Sequence, residues 1–390
     1  MGKYCNIDTE KVLFPYMFIQ TLFFFISITF LIQTLFKDNL LTFIMLLIIS
    51  VSTIAGLDLS RFFKGVSGSL QYPTFYSYGF SFSFFSIAFF LRNKYILAFV
   101  FTAMSVLCHI NMGMFTAIFI CSYIFYDRKL FYNKNFLLGL FFFLLIISPL
   151  IYSIFFKASV SNGTIPVDKW IKVTKIFSSH WYPVTMEMFT KRAIYYFFPF
   201  LLSILFFIVS SRHIRFENEK NKKILVGLFT CLVLSIIGIV LSEFFQVPIL
   251  IKISFQRMSG FFTFFSTLYY INYLYIKLNN SNLFIHLVSL YSILLLFFSS
   301  PGLAILPLIL LFYSDVNDGY AGFFRINLKI QKRLKLFIYI VIVLIAFIVL
   351  INNLHHKHEI FSYLHKSLWS PFQYLNPLEY FDFLLWGGGH

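Results

Sequence analysis

Long apolar stretches separated by short polar ones run along most of the chain, at 12–35, 39–57, 72–91, 136–156, 193–211, 223–242, 258–276, 283–299, 302–313 and 336–352. Wound as helices, most of these stretches match the roughly 30 Å of hydrocarbon in a bilayer. The run 95–126 is different. As one helix it would reach about 48 Å at about 1.5 Å per residue, too far for a single crossing. It is also interrupted by Cys108-His109-Ile110-Asn111-Met112-Gly113, with Arg92 and Lys94 before it and Arg128, Lys129 and Lys134 after it. If basic loops stay on the cytoplasmic side, both flanks lie on that side. The run is then a hairpin of two short helices turning at His109–Gly113.

The pattern therefore predicts an all-α fold, a polytopic transmembrane helical bundle of about 10–12 membrane segments that includes the short-helix hairpin at 95–126. Residues 1–352 form a single integral membrane domain, and 353–390 an interfacial, aromatic and His-bearing tail. Met1–Glu10 is polar and lacks the basic n-region of a cleaved signal, so span 12–35 is expected to remain as a membrane helix. The expected location is a bacterial inner (cytoplasmic) membrane, crossed many times.

Composition narrows the classes. The 390 residues are 59% apolar, 22% aromatic and only 12% charged. A soluble enzyme, a nucleic-acid-binding domain and a secreted disulfide scaffold are all excluded. The four cysteines, Cys5, Cys108, Cys121 and Cys231, have no paired spacing, and three of them fall in apolar runs as small hydrophobes do. The net charge of +16 raises the question of which side of the bilayer the cations occupy. Alternating the spans puts 17 of the 31 basic residues inside and 14 outside, a weak inward bias.

The outer cations are concentrated in three loops: Arg61 and Lys64; Lys157, Lys169, Lys172, Lys175, Lys191 and Arg192; Lys252 and Arg257. If these loops meet, they form a bowl that attracts phosphate or diphosphate at the membrane surface. Alternatively they are snorkelling anchors that touch anionic headgroups.

Four constellations carry candidate chemistry. Asp58 and Arg61 follow a span end three residues apart, with Lys64 beyond; Gln71, Tyr72, Pro73 and Gly79 open the next span. A carboxylate at a membrane-facing cleft can serve as general base for a sugar hydroxyl, or pair with the nearby arginine. His109 and Asn111 sit in the hairpin break, where polar side chains can bond the freed backbone and an ionisable group marks a candidate site. Ser178-Ser179-His180-Trp181-Tyr182-Pro183 lies in the longest outer loop; His180 can donate to phosphate or move a proton, and the two rings can stack on a sugar or anchor the loop. Arg257 opens a span where its charge opposes the helix dipole, which a nearby anion would relieve. His355, His356, His358 and Glu359 match no closed metal site, and no metal or other cofactor is expected.

Taken in order, Gln71-Tyr72-Pro73…Gly79, His109 in a short-helix break, Ser179-His180-Trp181-Tyr182-Pro183 and Arg257-Met258-Ser259 resemble a group of bacterial multi-pass membrane proteins. Those proteins are similar to the GT-C class of membrane glycosyltransferases. The resemblance covers about 55–275. It implies a polyprenyl-phosphate-linked sugar donor, a glycan or lipid acceptor and a site on the extracytoplasmic face. On that basis Asp58 is the expected base, Arg61, Lys64, His180 and Arg257 phosphate clamps, and Tyr72, Trp181 and Tyr182 sugar platforms. Two features depart from the family. Its catalytic carboxylate usually lies in a large loop after the first helix, whereas here that loop is Lys37-Asp38-Asn39; and its His-Pro break reads His109-Ile110. A Wzy-like O-antigen polymerase and a lipid or glycan flippase are the alternatives, and span interiors poor in ionisable groups disfavour the flippase. Membrane lipids are expected partners and nucleic acid is not.

Overall fold

The computed structural model describes residues 9–55, 75–153, 169–172, 191–211, 213–214, 218–245, 248–278, 282–298 and 305–316. Twelve α-helices are present among them: α1 (Thr9–Phe36), α2 (Asn39–Ala55), α3 (Phe75–Leu91), α4 (Tyr95–Cys108), α5 (Ile110–Cys121), α6 (Lys134–Tyr152), α7 (Lys191–Ser211), α8 (Glu219–Val240), α9 (Pro248–Ile253), α10 (Ser259–Lys277), α11 (Leu283–Phe298) and α12 (Ile305–Val316). No strand occurs among the described residues, and the fold is an all-α helical bundle. The helix limits follow the apolar stretches closely; the stretch 336–352 and the tail lie outside the described residues. Phe18–Phe36, Lys134–Tyr152 and Glu219–Val240 are long and apolar enough to cross a membrane, and several shorter helices are equally apolar.

The interrupted run is a hairpin. Lys223, near the start of α8, sits over the rings of Tyr95, which opens α4, and Tyr123, which follows α5. The outgoing and returning helices therefore begin and end at the same level. Their close approach depends on Gly113, where a Cβ would fall 2.2 Å from the Val106 nitrogen. The hairpin packs on α3 through small polar groups. Ser105 donates to the Gly79 carbonyl at 2.8 Å, Ser86 donates to the Ala98 carbonyl at 2.8 Å, and Thr116 lies 2.7 Å from Ser83. Small residues let helix backbones approach, and each such bond contributes about 0.6 kcal/mol on average in a lipid setting.

Successive helices alternate in direction, which sorts the ends of the bundle. At one end lie Lys37, Arg92, Lys94, Arg128, Lys129, Lys134, Lys220, Lys222, Lys223 and Lys277, accompanied by Asp38, Asp127 and Glu219. This basic end corresponds to the face taken from the sequence as cytoplasmic. At the other end are the hairpin tip and the turn that leads into α10. Between the ends the core is aromatic: α7 and α10 meet through Phe206 and Tyr270, whose rings stack at 4.0 Å and 6°, and Phe84 stacks on Phe264 at 4.9 Å. Outward faces stay apolar, as on α6, where Leu137, Phe141, Leu144 and Leu145 are exposed. Such a stripe suits hydrocarbon better than water.

Lys223 shows how the basic end is closed. Its side chain is 1% exposed, with Phe90 at 4.9 Å beside Tyr95 and Tyr123. The ammonium donates to the Phe90 carbonyl at 3.3 Å and to Asn93, and lies 3.5 Å from Glu219. A buried cation is tolerated when acceptors and ring faces replace its water. Lys223 thus fastens α8 to the base of the hairpin.

Candidate functional site

His109 is the single extended residue between α4 and α5, with φ −157° and ψ 106°. Its Nδ1 faces the Met112 N–H at 3.4 Å, a cap on the first turn of α5. That contact uses Nδ1 as an acceptor, so the neutral ring carries its proton on Nε2. Expected use of polar side chains to bond the freed backbone is thereby met at His109. Asn111, one residue into α5, is half-buried and makes no side-chain hydrogen bond among the described residues.

The surroundings of His109 come from three other helices. Gly79 of α3 lies against it: a Cβ there would stand 3.1 Å from the His109 Cβ. One residue earlier, Tyr78 meets Tyr16 of α1 edge to face at 5.6 Å, and both tyrosines neighbour Cys108. Arg257, on the short turn Phe255–Met258 that leads into α10, lies within electrostatic range of the His109 ring.

The position of Arg257 has a local cause. Ser254 adopts a left-handed backbone with φ 57° and, fully buried, donates to the Ile251 carbonyl at 2.8 Å. This reverses the chain after α9 and starts the short turn Phe255–Met258 that carries Arg257. Gly238 on α8 receives that turn, since a Cβ there would lie 2.3 Å from the Gln256 nitrogen. A guanidinium and an imidazole N–H donor so lie at the same end of the bundle. Two donors of like charge tendency complement an anion, phosphate above all, and do not complement a second cation.

Nearby, Lys252 stands over the Trp170 ring at 5.5 Å. Among the described residues, 169–172 therefore lies against the end of α9. Of the other sequence-derived candidates, Asp58, Arg61, Lys64, Gln71, Tyr72, His180, Trp181 and Tyr182 lie outside the described residues. His109 and Arg257 lie at the same end of the bundle, within electrostatic range of each other. Tyr16, which follows Pro15 inside α1, was not singled out from the sequence. No group of three or more metal-ligating side chains occurs among the described residues.

Comparison with protein-family models, with curated proteins and with solved structures finds no match to this chain.

Proposed function

We propose that the chain is a multi-pass protein of a bacterial inner membrane that transfers a sugar from a lipid-linked phosphate at its extracytoplasmic face, in cell-surface glycan assembly. The observation that carries this reading is that His109 and Arg257 lie at the same end of the bundle, opposite the basic end and within electrostatic range of each other. In sugar transfer the acceptor hydroxyl attacks the anomeric carbon, the bond to the phosphate oxygen breaks, and negative charge grows on the departing phosphate. Fixed donors aimed at that charge stabilise the transition state without a metal ion. Arg257 and His109 have the chemistry for this, and the aromatic pair Tyr16–Tyr78 gives the same end a surface on which a sugar or prenyl unit can lie. The base that accepts the hydroxyl proton is assigned to Asp58, and His180 to the phosphate.

The test is product formation by full-length protein in membranes supplied with a polyprenyl-phosphate sugar. Arg257→Ala and His109→Ala are each expected to lower the rate by about a hundredfold or more, the usual effect of losing one such donor. Lys129→Ala, at the basic end, is expected to leave it unchanged. Full activity in both site variants would remove the proposal.

A further inference from the structure

A second anion-binding arrangement lies at the basic end, about a bundle length from His109. Arg92 follows the last turn of α3, Lys220 opens α8, and Lys37 follows α1. Two of these cations hang on one residue: the Arg92 Nε donates to the Thr34 hydroxyl at 3.0 Å, and the Lys220 ammonium donates to the Thr34 carbonyl at 3.1 Å. Lys37 and Arg92 both act on Lys220 as neighbouring like charges. Among the described residues no carboxylate forms an ion pair with them: the Asp38 oxygens accept from the Leu41 N–H at 2.9 Å and the Tyr275 hydroxyl at 3.2 Å, and Glu219 faces Lys223. These two bonds occupy one of the five Arg92 donors and one of the three Lys220 donors.

Beneath this cluster the surface is apolar. The Arg92 guanidinium lies 4.0 Å over the Phe30 ring. Phe30 in turn meets Phe85 at 5.6 Å and Phe89 at 5.3 Å, and Phe89 meets Phe101 at 5.3 Å. These half-buried rings form a shelf across α1, α3 and α4. Along α1 the exposed Leu22 and Ile26 continue it toward the middle of the bundle at helical spacing. Cations above a lengthwise apolar shelf are complementary to a phosphate joined to acyl chains.

We propose that Arg92, Lys220 and Lys37 hold the phosphate of an anionic phospholipid whose acyl chain lies along the Phe30 shelf. The bound lipid supplies a counter-charge that no carboxylate among the described residues gives the three clustered cations, and it ties together the ends of α1, α3 and α8.

The full-length chain in mixed micelles is titrated with phosphatidylglycerol or phosphatidylcholine, and bound lipid is counted by native mass spectrometry. Phosphatidylglycerol is expected to be retained and phosphatidylcholine lost. A basic residue beside an anionic headgroup is worth about fivefold in binding, so R92Q/K220Q is expected to weaken phosphatidylglycerol about thirtyfold. K129Q/K134Q removes equal charge from the same end, away from Thr34, and is expected to have little effect. Equal weakening by both double variants would show a diffuse field and overturn the site, as would equal retention of the two lipids. Displacement of the lipid by inorganic phosphate at similar concentration would overturn the lipid as occupant. If R92Q/K220Q does not fold, K37Q and the wild-type comparison of the two lipids decide the matter in the same way.

Discussion

A methyl group added at Gly113 tests the hairpin most sharply. In Gly113→Ala the new Cβ would fall 2.2 Å from the Val106 nitrogen, 2.4 Å from its Cγ2 and 2.5 Å from its Cα. Carbon contacts are comfortable at about 3.5 Å, so α4 and α5 must part by about an ångström. The obstacle is backbone, and no rotamer change relieves it. Overpacking of this kind costs about 3 kcal/mol, while alanine in a helix recovers about 1 kcal/mol relative to glycine. The net expectation is a loss of about 2 kcal/mol. Gly260, in the first turn of α10, is the control: nothing lies within 4 Å of its added Cβ. Gly260→Ala should therefore stabilise by about 0.5–1 kcal/mol. A thiol-reactive dye reads both on heating in detergent, because Cys231 is fully buried and is exposed only when α8 loosens. The expected result is a lower midpoint for Gly113→Ala, by several degrees, and an equal or higher one for Gly260→Ala. A Gly113→Ala midpoint matching or exceeding the wild type would refute the close hairpin.

Three other outcomes follow from the packing. Gly238→Ala is expected to lower stability by about 2 kcal/mol in the same dye assay, and also to reduce sugar transfer, because it displaces the turn that carries Arg257. Lys223→Ala should cost about 3 kcal/mol by removing the ammonium's bonds to the Phe90 carbonyl and Asn93 and by emptying the aromatic cage around it; Lys223→Met, which keeps the volume, should cost less in a denaturant titration. Ser86→Ala removes a donor between α3 and α4 and should lower the thermal midpoint by the equivalent of about 0.6–1.7 kcal/mol.

The helices were legible in the sequence because each is a single apolar run with polar breaks, and length alone separates a crossing from a loop. The hairpin was legible for a different reason: basic residues on both flanks of 95–126 favour an even number of crossings, so a turn was expected at His109–Gly113. Lys223 was not legible as a pin, since its cage draws Phe90, Tyr95 and Tyr123 from separate segments. The polar seam of α3 left a trace, with Gly79, Ser83 and Ser86 spaced four and three apart, but its partners Thr102, Ser105 and Thr116 become evident only once the hairpin folds back. Arg257 was found by its awkward place at a helix start. Its nearness to His109 depends on the left-handed Ser254 and on the bare surface of Gly238, which no periodicity reports.

The central claim is that His109 and Arg257 share one face of the membrane and the basic cluster the other. Single cysteines placed at Asn111, Lys252, Lys37 and Lys129 in a cysteine-free chain, labelled in intact cells with an impermeant maleimide, test this directly. Asn111→Cys and Lys252→Cys should react from outside, and Lys37→Cys and Lys129→Cys only after the membrane is opened. Labelling of all four from one side, or the reverse pattern, would contradict the account.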